Sequence, residues 1–310
     1  MTSAESDELR RKHYNGTVVY LDKPHSDLMI VRVKPDFPIP AHKPGQYGTL
    51  GMGQWEPRAL GCQDEDPKIS DEKKLIRRAY SISNSVLGDH GMLMDIDLAH
   101  APWLEFYIVL VREAEKAPAL TPRLFMLTQG DRVFLGEKIA GHFTLDPVKP
   151  TDAVLFLSTG TGEAPHNYML WDLLRRGHQG RILGACCVRY RRDLGYLAIQ
   201  EELMRRFANY VYLPLTTREA TTVQHKVYIQ DLITSGELEE RLGHPLDPTS
   251  THVFLCGNPK MIGVPAIDRA TGKMDFPTTT GVVELLSKRQ FQIDQPGLKL
   301  VGNIHYEEYW

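Results

Sequence analysis

Two prolines, Pro147 and Pro150, divide this chain into stretches of different rhythm, and that change constrains the fold more than any other feature. Before them, short apolar runs broken by turn residues recur at Thr17–Leu21, Leu28–Val33, Tyr47–Leu50, Ala79–Ile82, Leu93–Leu98, Leu104–Val111 and Arg132–Leu135. Strands this short and this dense predict an antiparallel barrel. After the prolines, strand and helix alternate: Ala153–Ser158, Arg181–Val188, Tyr210–Leu215 and Val253–Cys256 read as strands, Glu163–Arg176 and Leu197–Phe207 as helices. Alternation of this kind predicts a doubly wound parallel sheet, whose ligands sit beyond the carboxyl ends of the strands. The expected architecture is an antiparallel β-barrel domain over residues 1–149 followed by an α/β domain over 150–310, and a length of 310 residues suits two such units.

Composition excludes several classes of function. No apolar run approaches the roughly 18 residues of a membrane span, and the polar start from Met1 to Tyr14 is unlike a signal peptide, so the chain reads as cytoplasmic. Cys62 and Cys256 are isolated and Cys186 and Cys187 adjacent, which fits neither a disulfide framework nor a zinc or iron–sulfur spacing; no metal centre is expected. A net charge of −3 argues against a nucleic-acid binder, although Arg175 to Arg206 holds eight arginines against Asp193, Glu201 and Glu202. Gly51 to Arg77, with Gln63-Asp64-Glu65-Asp66-Pro67 inside it, reads as a long surface loop.

Three motifs carry chemistry. In Arg78-Ala79-Tyr80-Ser81, Arg78 offers a planar fork for a phosphate, Tyr80 shares its face of the strand and suits an aromatic ring, and Ser81 offers a hydroxyl at that ring's edge. Taken alone, the four residues also describe an ordinary strand. Thr121-Pro122-Arg123-Leu124 reads as a helix start with Thr121 as its cap, whose free amides suit a pyrophosphate.

In the second half, Ser158-Thr159-Gly160-Thr161-Gly162-Glu163-Ala164-Pro165 follows a strand and opens a helix, the setting in which glycines let a pyrophosphate approach the backbone. Arg189 and Arg218 follow successive strands and Lys226 lies in the next loop, and the three cations suit the extra 2′-phosphate of NADP. Arg191, Arg192, Arg205 and Arg206 read better as a solvated basic face, with a docking patch as the other possibility. Cys256-Gly257-Asn258-Pro259 ends a strand and starts a helix; its thiol is either a small core hydrophobe or a compact group beside a bound ring.

With these motifs in this order, the chain from Gly16 to Trp310 resembles the ferredoxin–NADP reductase family, especially its bacterial ferredoxin or flavodoxin reductases. The resemblance implies that Arg78, Ala79, Tyr80 and Ser81 bind FAD, with Arg78 on the pyrophosphate, Tyr80 stacked on the isoalloxazine and Ser81 at its reactive edge, and that Thr121 helps hold the flavin phosphates. It implies that Gly160, Thr161, Gly162 and Pro165 line the NADP(H) pyrophosphate site, that Arg189 and Arg218 bind the 2′-phosphate, and that Cys256 lies beside the nicotinamide. Lys226 stands where these enzymes often have arginine, and a point charge there loses the bidentate fork. Glu163 takes a place usually apolar, which puts a carboxylate near the nicotinamide pocket or caps the helix. The Gly51–Arg77 loop is longer than in compact relatives, and the ending Tyr306-Glu307-Glu308-Tyr309-Trp310 looks like the family's aromatic tail, with Tyr309 or Trp310 covering FAD.

The implied activity is hydride transfer between nicotinamide C4 and flavin N5, with Tyr80, Ser81 and Cys256 as the residues nearest the reaction and ferredoxin or flavodoxin as the one-electron partner. The arginine-rich segment would serve that acidic partner. The alternatives are the reductase component of a dedicated redox complex and a non-catalytic nucleotide sensor.

Overall fold

The computed structural model describes residues 2–66, 72–86, 94, 98–268, 271–298 and 300–309. The chain forms two compact units, and it passes from the first to the second at Phe143.

The first unit opens with α1 (Ser3–His13), started by a capping box in which the Thr2 hydroxyl accepts from the Glu5 amide and Glu5 reaches back to the Thr2 amide. Six strands follow: β1 (Gly16–His25), β2 (Leu28–Pro35), β3 (Tyr47–Gly53), β4 (Leu75–Ser81), β5 (Leu104–Val109) and, after the short helix α2 (Thr121–Leu124), β6 (Arg132–Leu135). They pair antiparallel in the order β4-β3-β6-β1-β2-β5. The edge strands β4 and β5 come together where the Ser83 amide donates to the Glu105 carbonyl at 2.8 Å, which curls the sheet toward a barrel. Such curling covers both faces of β2, and Leu28 to Val33 is buried without interruption. Leu98, expected to end a strand, begins a 3-10 turn at Leu98–His100 instead; residues 93 and 95–97 of that expected strand lie outside the described residues.

The second unit alternates β7 (Ala153–Thr159), α3 (Glu163–Arg175), β8 (Ile182–Val188), α4 (Leu197–Arg206) and β9 (Tyr210–Thr216). It continues through α5 (Ile229–Ser235), α6 (Glu237–Leu242), β10 (Thr251–Gly257), α7 (Pro259–Ile262), a small ribbon of β11 (Ala266–Ile267) and β12 (Met274–Asp275), α8 (Val282–Ser287) and β13 (Ile304–Glu308). The parallel sheet runs β13-β10-β7-β8-β9. Alternation along the strands sorts the core: Leu155, Leu157, Leu183, Val253 and Leu255 face a cluster with Ile229, Leu232, Val282 and Leu286 from α5 and α8. Each such fully buried aliphatic side chain contributes roughly 1.5–3 kcal/mol. The alternate residues face α3, whose His166 ring lies 5.0 Å from that of Phe156. Tyr306, expected in an aromatic tail, sits in β13, which pairs with β10 from Val253↔Ile304 to Gly257↔Glu308.

Candidate functional site

In the sheet order, β8 lies on one side of β7 and β10 on the other, so the direction of winding reverses between β7 and β10. A crevice at the carboxyl ends of two such strands is where doubly wound sheets take their ligands. Two of the sequence motifs leave the sheet there, and the structure fuses them into one object. The Asn258 amide donates to Thr159 Oγ1 at 2.7 Å. Gly257 has φ +127°, and a Cβ on it would overlap the Thr159 hydroxyl and carbonyl. A Cβ on Gly162 would overlap the Cys256 carbonyl.

Gly160 differs, with φ +54° and nothing within 4 Å of the place its Cβ would occupy. Gly160–Gly162 forms a 3-10 turn leading into α3, and no side chain caps that helix. The Glu163 amide closes the 3-10 turn onto the Gly160 and Thr161 carbonyls, and the uncapped start of this thirteen-residue helix beside a bare glycine turn suits a pyrophosphate. Pro165 lies in the first turn of α3, where its missing N–H costs no helical bond.

At the neighbouring strand ends, the Arg218 amide donates to the Arg189 carbonyl at 2.8 Å, so two exposed guanidinium groups stem from one backbone contact. Neither is ion-paired among the described residues. Lys226 is exposed on the segment that follows, and no hydrogen bond ties it to either arginine. The nearby arginines have partners: Arg191 pairs with Glu201, Arg205 and Arg206 with Glu202, and Arg192 lies over the Tyr190 ring at 5.1 Å. Exposed pairs of this kind contribute about 0–1 kcal/mol each, and because Arg205 and Arg206 share one glutamate and Arg192 meets only a neutral ring, the segment keeps a net positive charge.

In the first unit, Arg78 and Tyr80 lie on one face of β4. Arg78 is exposed, without a carboxylate partner among the described residues, and donates to the Arg77 carbonyl at 2.8 Å. Tyr80 is half-buried, edge-on to Phe106 at 6.4 Å, and pairs with Gly48 across the ladder, where the Phe106 ring and Leu104 lie within 4 Å of the place a side chain would take. Ala79 is exposed and Ser81 buried. A guanidinium with no carboxylate partner among the described residues, two residues from a half-buried tyrosine, fits a phosphate and a flat ring.

Thr121 corrects the sequence reading. It is the first helical residue of α2 rather than its cap; Leu120 occupies the cap position and makes no side-chain bond. Thr121 Oγ1 instead accepts from the Val111 amide at 3.2 Å, because the turn brings that strand end within reach. The acidic stretch is not a free surface loop either. Glu65 meets Arg123 of α2 through two 2.8 Å contacts, and Arg58 donates to the carbonyls of Gln63 and Pro118. Although burial pushes the other way, the Arg123 and Arg58 guanidinium groups hold the Glu65 carboxyl below its usual range. Sequence reasoning passed over Arg123, although an arginine directly after a proline at a helix start and an acidic run were both in view.

Glu163 is also corrected. It does not face solvent and does not cap α3; it turns into the core and is 3% exposed. Its Oε1 accepts from the Tyr212 hydroxyl at 2.7 Å and from Gln200 Nε2 at 3.3 Å, and burial pushes its carboxyl up to about 7. The Cys256 side chain is fully buried, and burial followed by the nearby Glu307 pushes its thiol up, so it is a neutral packing group in this structure. Trp310 lies outside the described residues, whereas Tyr309 is described, and its amide donates to the Gly257 carbonyl at 2.9 Å.

A family model described as the oxidoreductase NAD-binding domain matches residues 156–265, the stretch that carries both fused motifs. A flavodoxin/ferredoxin–NADP reductase of Escherichia coli K12 is 35% identical over 236 residues, 73% of this chain and 80% of that protein. The protein of the same name from Shigella flexneri matches to the same extent. Among solved structures, a ferredoxin NADP+ reductase from Neisseria gonorrhoeae with bound FAD and NADP shares the fold, with a TM-score of 0.68 at 19% identity over 96% of this chain and 98% of that one.

Proposed function

Because this chain belongs to the flavodoxin/ferredoxin–NADP reductase family, we propose that it is an FAD-dependent oxidoreductase passing electrons between NADP(H) and a small one-electron carrier protein, ferredoxin or flavodoxin. When bound, FAD exchanges a hydride with nicotinamide C4 at its N5 and releases electrons singly. The chain's residues bind and orient. Arg78 would grip the flavin pyrophosphate, Tyr80 would lie against the ring system, Ser81 would hydrogen-bond at its edge, and Ala79 and Thr121 would complete the lining through backbone and hydroxyl. In the second unit, Gly160, Thr161, Gly162 and Pro165 would take the NADP(H) pyrophosphate, Arg189 and Arg218 its 2′-phosphate with Lys226 as a further charge, and Cys256 would pack beside the nicotinamide. Cytoplasmic placement is part of the reading, in keeping with thiols at Cys62, Cys186, Cys187 and Cys256 that form no disulfide.

The observation that carries this reading is the fusion of the Gly160–Gly162 turn with Cys256–Gly257 at the winding reversal of the sheet. The test is spectroscopic: the purified chain is yellow, or becomes so with FAD, and anaerobic NADPH bleaches it before ferredoxin or flavodoxin restores the colour. A preparation that stays colourless with FAD, or flavin that NADPH does not reduce, removes the proposal. Dye reduction without turnover of either carrier favours a dedicated complex.

A further inference from the structure

The carboxylate that turns away from the nucleotide turn is not isolated from it. Glu163 is the residue immediately after Gly162, and Cys186, which lies against Glu163, directs its thiol at the Gly160 carbonyl at 3.6 Å. Beneath the turn is a cavity of about 10 Å³ lined by Ser158, Glu163, His166, Gln200, Tyr210 and Tyr212 among others. That is the space of a single water. Glu163 Oε2 and His166 Nε2 are buried side-chain atoms with no hydrogen-bond partner among the described residues, and both residues line the cavity.

Among the described residues, the groups facing Glu163 are uncharged. Tyr212 and Tyr210 come from β9, Ser158 from β7, Gln200 from α4 and His166 from α3 itself, and Cys186 of β8 lies near it. Burial holds both phenols and the thiol protonated and pushes His166 down to about 3, so its imidazole is neutral. An ionised carboxylate there has hydrogen bonds from Tyr212 and Gln200 but no cation, a costly arrangement in the interior. With burial pushing the carboxyl up to about 7, small changes in local potential decide its state.

On the reading that NADP(H) binds at the Gly160–Gly162 turn, we propose that Glu163 is a proton-linked positioning residue: nucleotide binding makes it take up a proton, so affinity for NADP(H) rises as pH falls through neutrality. The pyrophosphate brings negative charge to the turn that Glu163 directly follows. Like charges repel across the poorly screened interior, and the carboxylate relieves the repulsion by taking one proton from solvent and becoming neutral. By linkage, whatever favours protonated Glu163 favours bound nucleotide by the same factor.

The experiment is calorimetric titration of NADP+ into the FAD-loaded full chain at several pH values, in paired buffers of different ionisation enthalpy, for the wild type, Glu163→Gln and Tyr212→Phe. The wild type takes up more protons than Glu163→Gln near neutrality, and its affinity weakens on the order of tenfold more between pH 6 and 9. Subtracting the Gln variant cancels protons taken by the nucleotide's own phosphate. In Tyr212→Phe the carboxylate loses a donor, and the uptake shifts to higher pH. Binding with equal proton uptake in wild type and Glu163→Gln overturns this inference alone. Absence of NADP+ binding in every variant overturns the nucleotide site and this inference with it. In the ligand-free chain, the Glu163 side-chain carboxyl carbon titrates near neutrality by NMR; a resonance already deprotonated at pH 5 also overturns it.

Discussion

The Asn258 amide donates to the Thr159 hydroxyl at 2.7 Å, and through that bond two motifs 99 residues apart become the two walls of one turn. The glycines on either side exist because the backbones approach too closely for a side chain, and their replacement tests how tight the fit is.

Gly162→Ala places a methyl against the Cys256 carbonyl, a backbone atom that cannot rotate away. The expected cost is about 1–3 kcal/mol of stability, with weakened nucleotide binding. Gly160→Ala meets no neighbour but keeps φ +54°, so its cost is about 1–2 kcal/mol of backbone strain. Denaturant midpoints of the two variants check the order; a Gly162→Ala protein as stable as the wild type contradicts the packing.

Arg218→Ala removes an unpaired guanidinium from the proposed 2′-phosphate site. NADPH affinity is expected to fall on the order of tenfold to a hundredfold, with NADH barely affected, as for loss of a charge-assisted bond of about 1.5–3 kcal/mol. Arg218→Lys recovers part of the loss because charge survives without the fork. Arg205→Ala, whose arginine is already paired with Glu202, leaves both affinities unchanged. Parallel titrations with the two nucleotides decide it.

Arg32 and Glu105 form a buried pair at 2.8 Å, and the guanidinium lies 4.8 Å from the Tyr20 ring and 4.2 Å from that of Trp103. Glu105→Ala leaves the arginine charged and uncompensated, which costs about 3–5 kcal/mol. Replacing both with apolar residues of similar volume costs less than the single change. Thermal unfolding with a double-mutant cycle measures the difference, and an additive result refutes the coupling.

Glu163 has a pH signature in stability as well as in binding. Its carboxyl is raised from 4.5 to about 7 in the folded chain, so between those values the folded state keeps a proton that the unfolded state has released. Stability therefore falls as pH rises across that window, by about 3 kcal/mol from this one group, and levels off above it. Glu163→Gln removes the slope. Urea unfolding of both proteins at pH 5, 6, 7 and 8 checks it, and parallel curves refute it.

The strands of the second unit were legible because a parallel strand covered on both faces is a short apolar run between turn residues, as Ala153–Thr159 and Ile182–Val188 are. The helix α1 was equally legible from Thr2 and Glu5, yet the polar start was read only for what it excluded. The strand β13 was not legible, because Ile304-His305-Tyr306-Glu307-Glu308 carries little apolar signal and becomes a strand only through pairing with β10.

Residue type and order along the chain determined that two kinds of sheet would form and that glycines and cations would fall at strand ends, since periodicity and turn chemistry act over a few neighbours. Only the tertiary structure decided which way Glu163 points, that Glu65 is held by Arg123, and that Thr121 serves the Val111 amide instead of a helix end. Those outcomes depend on which donors lie within about 3 Å after folding, and hydrogen bonds and desolvation answer to distance in space, on which spacing in sequence is silent.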